Sequence, residues 1–328
     1  MIAPPRVSVA IPIYNEAEVL PLLLGRLTAV LDNVPGGPHE IVFVDDGSSD
    51  GTSELLAEAA WDDRVVVVTL SRNFGHQAAF SAALDHVTGD VVIAMDGDLQ
   101  DTPETIPRFL EKRREGYDVV YAIRKKRKEG WFKRTCYRTA YRTINWLSDI
   151  DLPLDAGDFA LLSRRVVDEL RRLPERQRYL RGLRTWIGFR QTGIVVERAA
   201  RAAGEPKYDF RGLVRLACDG IFSFSRVPIR AMAGVGFLAI CGSLSYAVYA
   251  LCLRLFGGSV IEGFTAIICC VTLLSGVQLL SLAVIGEYVG RVYTEVKQRP
   301  PYLVDHVIGS SRNLVVSESP HSASAAPR

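Results

Sequence analysis

The residues of this 328-residue chain best suited to chemistry form one short acidic run, Asp96-Gly-Asp98-Leu-Gln100-Asp101. The run follows directly on five apolar residues, 91–95, which predict a short buried strand. Two carboxylates one residue apart, with an amide oxygen nearby, are hard oxygen donors that suit Mg²⁺ or Mn²⁺ and a bound diphosphate. The plainer interpretation is an acidic turn that begins the next helix. The neighbouring segments decide between these two interpretations.

Strand-like and helix-like segments alternate around this run. We predict strands at residues 7–13, 41–44, 65–70, 91–95 and 159–162, and helices at 19–30, 54–60 and 78–86. This alternation predicts an α/β fold with a Rossmann-like, mostly parallel sheet wound by right-handed crossovers. Polar residues follow each of the first four strands, at the edge where open parallel sheets bind their ligands.

Several function classes lack their signatures in this sequence. No G-x-G-x-x-G follows the first strand and no G-x-x-x-x-G-K-[ST] occurs, which weighs against a dinucleotide oxidoreductase and a P-loop ATPase. The net charge of +2 does not by itself decide about nucleic acid, and we expect no nucleic-acid partner. The six cysteines include no C-x-x-C pair, so we interpret them as small packing residues in a reducing compartment.

Two stretches near the C-terminus, residues 231–253 and 263–286, contain no charged residue. Each is longer than the roughly 20 residues that a helix needs to cross the hydrocarbon core of a bilayer. We therefore predict transmembrane helices at 229–256 and 263–290. Arginine and lysine residues flank the outer ends of this pair, so the positive-inside rule places both chain ends in the cytoplasm. We expect no secretory signal peptide, and location in the cell (inner) membrane.

The remaining segments complete the predicted domain organisation. We predict a cytoplasmic catalytic domain over residues 1–206, a cytoplasmic extension over 291–309 and a disordered tail over 310–328. Residues 207–228 predict a basic amphipathic helix at the membrane surface, the alternative being a core helix of the soluble domain. Within the extension, residues 302–308 predict a short strand that makes an oligomer contact.

The order and spacing of three motifs resemble those of the family 2 glycosyltransferases of GT-A fold. The motifs are Pro12-Ile-Tyr14-Asn-Glu16, Asp45-Asp46-Gly-Ser-Ser-Asp50-Gly-Thr52 and Asp96-Gly-Asp98-Leu-Gln100-Asp101. Further segments, at 71–79, 157–159, 181–182 and 285–295, look like the polyprenyl-phosphate glycosyltransferases. That group includes the bactoprenol glucosyltransferases, the aminoarabinose transferases and the dolichol-phosphate mannose synthases. The resemblance covers residues 7–303, and Pro206 departs from it where a small hydroxyl residue is expected.

The resemblance implies a role for the polar residues of these motifs. The nucleotide-sugar would contact Pro12, Tyr14, Glu16, Asp45, Asp46 and Asp96. A bound Mg²⁺ or Mn²⁺ would contact Asp96, Asp98 and Gln100, with Asp98 and Gln100 as the direct ligands. Asp96 alternatively holds the ribose or the donor sugar.

The resemblance also implies four catalytic residues, Asp98, Asp158, Arg124 and Arg127. Guanidinium groups grip phosphate oxygens in a fork, so Arg124 and Arg127 are predicted phosphate contacts. The alternative is that they lie in a solvated charged loop. Family 2 enzymes place an acceptor-side carboxylate at the position of Asp158. The alternative is that Asp158 only accepts hydrogen bonds in a turn before the strand at 159–162. A lipid phosphate is already largely ionised near neutral pH, so we expect Asp158 to orient the acceptor rather than remove a proton.

The implied reaction is inverting transfer of a single sugar to polyprenyl (undecaprenyl) phosphate at the cytoplasmic membrane face. UDP-glucose is the favoured donor, while UDP-aminoarabinose, UDP-N-acetylhexosamine and GDP-mannose stay open. A processive polysaccharide synthase would need more spans and a Q-x-x-R-W motif, which this sequence lacks. The alternative of another class is a membrane-anchored scaffold that binds a sugar nucleotide without catalysis. The resemblance further implies a homo-oligomer, a tetramer.

Overall fold

A computed structural model of the chain describes residues 4–124, 156–176, 178–196, 227–256 and 263–309. The chain divides into two compact units. The first comprises Met1–Tyr141, Ile150–Leu213 and Arg299–Arg328, and the second comprises Arg142–Asp149 and Val214–Gln298. In the described ranges the first unit is an α/β domain and the second holds two long helices. The amphipathic helix predicted at 207–228 lies almost wholly outside the described residues.

One mixed sheet organises the first unit, and eight strands belong to it within the described ranges. They are β1 (Val7–Ile13), β2 (Glu40–Asp45), β3 (Val65–Leu70), β4 (Val91–Ala94), β5 (Val119–Arg124), β6 (Ala156–Ser163), β7 (Gln191–Val196) and β8 (Val304–Ile308). Their order across the sheet is β7-β5-β6-β4-β1-β2-β3-β8. The helices of this unit are α1 (Leu20–Asp32), α2 (Thr52–Ala59), α3 (His76–His86), α4 (Ile106–Arg114), α5 (Arg164–Arg172) and α6 (Leu180–Trp186).

The centre of the sheet is parallel and covered on both faces. β1 pairs in parallel with β2 and with β4, and all three strands are buried along their whole length. Such strands are rich in Val and Ile because neither face meets water. On α1, four leucines at helical spacing are buried against the sheet, each contributing about 1.5–3 kcal/mol. The predicted mostly parallel α/β fold is confirmed.

β6 runs antiparallel between β4 and β5, a direction that the sequence pattern did not predict. Its register pairs Ala160 with Ala94, the last residue of β4. Because the two strands run in opposite directions, the first residues of β6 lie at the carboxyl edge of β4. The rings of Phe159 and Phe109 meet edge-on with centroids 4.8 Å apart, which joins β6 to α4. The direction of β6 therefore decides which residues share that edge with the acidic run.

The second unit contains two long helices, α7 (Val227–Leu255) and α8 (Phe264–Val296). Their most apolar windows, Val227–Tyr246 and Leu273–Val296, are long enough to cross a membrane. Large apolar side chains such as Phe237, Leu238 and Leu279 are exposed on these helices. The two helices are candidate membrane spans at the positions predicted from the sequence, and each helix is longer at its outer end than the predicted span.

Candidate active site

Two of the predicted motifs lie side by side at the carboxyl edges of β1 and β2. The Asn15 amide donates to Ser48 Oγ at 3.0 Å, and the Ser49 amide donates to Asn15 Oδ1 at 2.8 Å. The Glu16 amide donates to Thr52 Oγ1 at 3.0 Å. Asn15 has a left-handed backbone, with φ 52°, a conformation that asparagine tolerates better than most residues. The two loops therefore form one hydrogen-bonded unit.

Asp45 and Asp46 hold the loops that follow β2 and β3. Asp45 Oδ1 accepts a hydrogen bond from the Ser48 amide at 2.9 Å. The two carboxylate oxygens of Asp46 accept from the amides of Phe74 and Gly75, at 2.7 and 2.9 Å. Burial raises the pKa of Asp46, although these two hydrogen bonds lower it. Asp46 thereby fixes the loop that leads into α3.

Four titratable side chains from four different elements converge beside β4. His76, the first residue of α3, has Nε2 3.4 Å from Asp96 Oδ1 and 3.9 Å from Asp158 Oδ2. Asp96 follows β4, and Asp158 lies near the start of β6. Arg181 on α6 donates from Nε and Nη2 to the two oxygens of Asp158, both at 2.7 Å. We refer to His76, Asp96, Asp158 and Arg181 as the edge cluster.

The charges of the edge cluster are unevenly compensated. Burial alone would raise the pKa of Asp158, but the charge and hydrogen bonds of Arg181, with His76, hold it well below its usual range. Burial alone would lower the pKa of His76, but its hydrogen bond with Asp158 and the charge of Asp96 raise it. Burial raises the pKa of Asp96, and the carboxylates of Asp158 and Asp98 raise it further against the effect of His76. The negative charge of Asp96 is therefore the poorly compensated one.

The chemistry of the edge cluster fits a divalent cation. One potential ligand atom from each of His76, Asp96 and Asp158 lies within 4.8 Å of the other two. Asp96 Oδ1 is buried and accepts no hydrogen bond from any residue that the structure describes. A cation would satisfy such an oxygen, since hard cations take carboxylate ligands. Asp158 is the weaker candidate ligand because Arg181 already occupies both of its oxygens.

The predicted metal ligands Asp98 and Gln100 lie in the turn after Asp96 and contact each other. The backbone N–H of Gln100 donates to Asp98 Oδ1 at 3.1 Å, and the side-chain Nε2 of Gln100 donates to Asp98 Oδ2 at 2.5 Å. Leu99 between them has φ 56°, a strained backbone that the surrounding structure must hold. In this arrangement Gln100 presents its nitrogen to Asp98. Binding of one cation by both side chains would require the side-chain amide of Gln100 to rotate so that its oxygen faces the ion.

The other predicted site residues lie at the same edge or outside the described residues. Pro12 is buried in β1, Tyr14 is exposed and Glu16 is half-buried just beyond it. Arg124 is the last residue of β5, but its side chain, like Arg127 as a whole, is not among the parts that the structure describes. Their predicted phosphate contacts remain predictions.

Sequence reasoning did not single out His76, Arg181 or Arg184 as site residues. The sequence does contain a signal for His76. This residue comes after the carboxyl end of β3, just as the acidic residues follow the carboxyl ends of β2 and β4. Arg184 lies one helical turn beyond Arg181, and burial lowers its pKa to about 10. Its Nη1 donates to the Gly157 carbonyl at 3.4 Å, and its Nε lacks a partner in the described ranges. For Arg181 the resemblance at residues 181–182 was a signal, whereas nothing local in the sequence distinguishes Arg184 from an exposed arginine.

The fold and the site together define a GT-A-like α/β domain with an acidic carboxyl edge, accompanied by two long apolar helices. The model of the family "Glycosyl transferase family 2" matches residues 8–171. The "uncharacterized glycosyltransferase YkcC" of Bacillus subtilis (strain 168) is 43% identical over 92% of this chain and 94% of its own length. The "bactoprenol glucosyl transferase" of Shigella phage SfX is 36% identical over 91% of this chain and 98% of its own length.

Among solved structures, this chain is similar to a mannosyltransferase, PcManGT from Pyrobaculum calidifontis, in complex with GDP-Man and Mn2+. The TM-score is 0.45 and the identity 18%, over 90% of this chain and 86% of that one. On the family model and the two sequence relatives, the chain belongs to glycosyl transferase family 2 and is a glycosyltransferase. The predicted family, fold and enzyme class are confirmed.

Proposed function

We propose that this glycosyltransferase moves one sugar from a nucleotide-sugar, with UDP-glucose favoured, to polyprenyl phosphate at the cytoplasmic membrane face. Relatives named bactoprenol glucosyl transferase, aligned over nearly the whole chain, support a lipid phosphate acceptor. The two candidate membrane spans support an acceptor that resides in a bilayer. The edge cluster is the observation that carries the proposal, because it gathers the charged groups that such a transfer needs.

A divalent cation, Mg²⁺ or Mn²⁺, would be held by Asp96 together with Asp98 and Gln100. When bound, it would supply positive charge beside the departing diphosphate. Asp96 supports this assignment because its buried oxygen accepts no hydrogen bond in the described part of the chain. Five residues at the carboxyl edges of β1 and β2 would hold the nucleotide and its ribose. These are Pro12, Tyr14, Glu16, Asp45 and Asp46.

Asp158 would orient the acceptor and not act as a base. The paired guanidinium of Arg181 keeps its pKa low, and a carboxylate with a low pKa removes protons poorly at neutral pH. The acceptor does not need a base, since a phosphate monoester has a second pKa of about 6. Its ionised oxygen would attack the anomeric carbon while the bond from that carbon to the diphosphate breaks. Attack from the face opposite the leaving group inverts the configuration.

Basic residues would complete the phosphate contacts and set the orientation in the membrane. Arg124 and Arg127 are the proposed contacts to the phosphates of donor and acceptor. Arg230 lies near the start of α7, and Arg291 and Lys297 lie near the end of α8, so basic residues mark the outer ends of the two helices. By the positive-inside rule these ends face the cytoplasm, as does the catalytic domain that precedes them. We also propose a homo-oligomer, a tetramer, on the family resemblance alone.

The proposal is tested with the full-length protein in detergent, undecaprenyl phosphate, Mg²⁺ or Mn²⁺, and a panel of radiolabelled nucleotide-sugars. We expect UDP-glucose to label the lipid. Labelling by UDP-aminoarabinose, UDP-N-acetylhexosamine or GDP-mannose instead would overturn the donor assignment and retain the acceptor. No lipid labelling by any donor would overturn the proposed reaction.

The rival function, a scaffold that binds a sugar nucleotide without catalysis, is separated by Asp98→Asn. We expect this variant to lose the sugar transfer that the wild-type protein shows. If the protein were a scaffold, the variant and the wild-type protein would both show only background transfer. Asp305→Asn is the matched control, because Asp305 is exposed on β8 and pairs with the neighbouring His306. The control variant is expected to keep wild-type turnover.

A further inference from the structure

The chain that follows α8 returns to the sheet of the catalytic domain. β8 pairs antiparallel with β3, with Val304 opposite Leu70. Directly beyond this pair, the Ser71 amide donates to the Leu303 carbonyl at 3.0 Å. We call residues 302–308 the C-terminal brace. The brace reaches the point where β3 ends and the loop toward α3 begins.

A second contact joins the brace to the far end of α3. The ring of Tyr302 is buried, with 5% of its surface exposed, and its hydroxyl donates to Asp85 Oδ2 at 2.6 Å. Burial and the adjacent Asp85 carboxylate raise the pKa of Tyr302, so the phenol stays protonated and remains a donor. Asp85 is the residue before the last one of α3. The brace is therefore bonded to both ends of the segment between Leu70 and His86.

That segment delivers His76 to the edge cluster. Its loop donates the Phe74 and Gly75 amides to Asp46, and the next residue is His76, beside Asp96. The loop is closely fitted: a Cβ on Gly47 would lie 2.8 Å from the Asn73 nitrogen. A small shift of the segment would therefore change both the Asp46 hydrogen bonds and the position of His76.

We propose that the C-terminal brace positions the His76 segment, and that Tyr302 is a positioning residue for the active site. Covering the exposed edge of β3 would be a simpler purpose for β8. Edge protection does not require the buried hydroxyl of Tyr302 to reach Asp85, at the far end of α3. Residues 297–301 connect α8 to the brace, so the chain that leaves the second candidate span next contacts the segment that carries His76.

The test compares Tyr302→Phe, Asp85→Asn and the double variant in the full-length protein. Tyr302→Phe keeps the buried ring and removes only the hydroxyl. Amide hydrogen exchange of peptides covering residues 70–86 is expected to rise about fivefold, as loss of one hydrogen bond produces. Peptides from β1 and β2 are expected to stay at their wild-type rates. The double variant should show no further increase over Asp85→Asn, which removes the contact with Tyr302 and also the 3.9 Å ion pair with Arg171.

A kinetic measurement adds a readout that rests on the proposed function. We expect Tyr302→Phe to raise the KM for the nucleotide-sugar about fivefold while the KM for the lipid phosphate stays unchanged. Asp305→Asn is the matched control on the same strand, and it should change neither exchange nor KM. A second variant, Gly309→Ala, loosens the brace at its other end, because a Cβ there would lie 2.1 Å from the Val65 carbonyl oxygen.

Unchanged exchange of residues 70–86 in Tyr302→Phe would overturn the proposal. An equal rise in every peptide of the sheet would also overturn it, because that result indicates general destabilisation. The two proposals fail separately. If the wild-type protein transfers no sugar, the proposed reaction is wrong, and hydrogen exchange alone still decides whether the brace positions the His76 segment.

Discussion

Two carboxylates at opposite edges of the sheet contrast sharply in the hydrogen bonding of their buried oxygens. Glu40, at the amino end of β2, accepts from the hydroxyl of Ser8 and from the amide and hydroxyl of Thr88. The Gly89 amide and Arg6 also donate to it. Asp96, at the carboxyl end of β4, keeps a buried oxygen that accepts nothing from the described residues. The same sheet thus satisfies one carboxylate and leaves the other poorly compensated.

The difference teaches which end of the sheet serves stability and which serves chemistry. A buried carboxylate with several donors stabilises the strands that supply them. A buried carboxylate oxygen that accepts no hydrogen bond and lies near other carboxylates costs free energy in the folded state. Proteins accept that cost at functional sites. The amino edge is therefore structural, and the carboxyl edge is the part of the described fold prepared for a ligand.

Asp158→Asn is expected to give the largest change, because it breaks the paired ion bridge between Asp158 and Arg181 at the carboxyl edge. The variant leaves the charge of Arg181 without its partner, and such a loss typically costs about 3–5 kcal/mol. The folded-state pKa of Asp158 is depressed, so its stabilisation is present above the ordinary value of 3.8. It is lost as the pH falls through the folded-state pKa. Thermal unfolding in detergent should show a large deficit at pH 7 that shrinks below pH 3.8.

Asp96→Asn is expected to reduce sugar transfer by about 100-fold or more, as loss of a key electrostatic group does. Stability without metal should stay the same or rise at neutral pH, because the folded-state pKa of Asp96 is raised and the change removes a crowded charge. Turnover and thermal unfolding in EDTA measure the two effects. A drop in stability like that of Asp158→Asn would contradict the assignment of Asp96 as the uncompensated group.

Mn²⁺ is expected to stabilise the wild-type protein by about 2.7 kcal/mol at a concentration 100-fold above its Kd. The physical reason is that the ion binds the folded edge and satisfies Asp96. Thermal unfolding with Mn²⁺, compared with EDTA, gives the shift. The Asp96→Asn variant should show little of this Mn²⁺-dependent shift, and the Asp305→Asn variant should show the full shift. Equal shifts in all three proteins would place the ion elsewhere.

Glu40→Gln is expected to give the smallest of these effects, a loss of about 1–3 kcal/mol with normal turnover per folded molecule. The glutamine amide turns an NH₂ group toward donors that need an acceptor, at the edge remote from the chemistry. Chemical unfolding and turnover at a permissive temperature separate the two quantities. Reduced turnover in fully folded protein would show that the two edges are not independent.

Local sequence patterns were sufficient for the first four strands, the first three helices and the two long helices, whereas β5, β7, α4, α5 and α6 were not predicted. Runs of β-branched residues predicted β1, β2, β3 and β4, because a fully buried strand must be apolar on both faces. The long uncharged stretches predicted α7 and α8, because a helix that crosses a bilayer needs about 20 consecutive, mostly apolar residues. The acidic run after β4 was visible for the same reason: polar residues that end an apolar strand stand out.

Only the tertiary structure decided what surrounds Asp96. The antiparallel direction of β6 brings Asp158 to the carboxyl edge, and α6 then supplies Arg181 from 23 residues further along the chain. His76 arrives from the other side, on a helix that β8 contacts from near the end of the chain. These contacts join residues far apart in sequence, and no local pattern encodes them. Hydrophobic periodicity determines where a strand forms, whereas strand direction and pairing depend on packing the whole sheet at once.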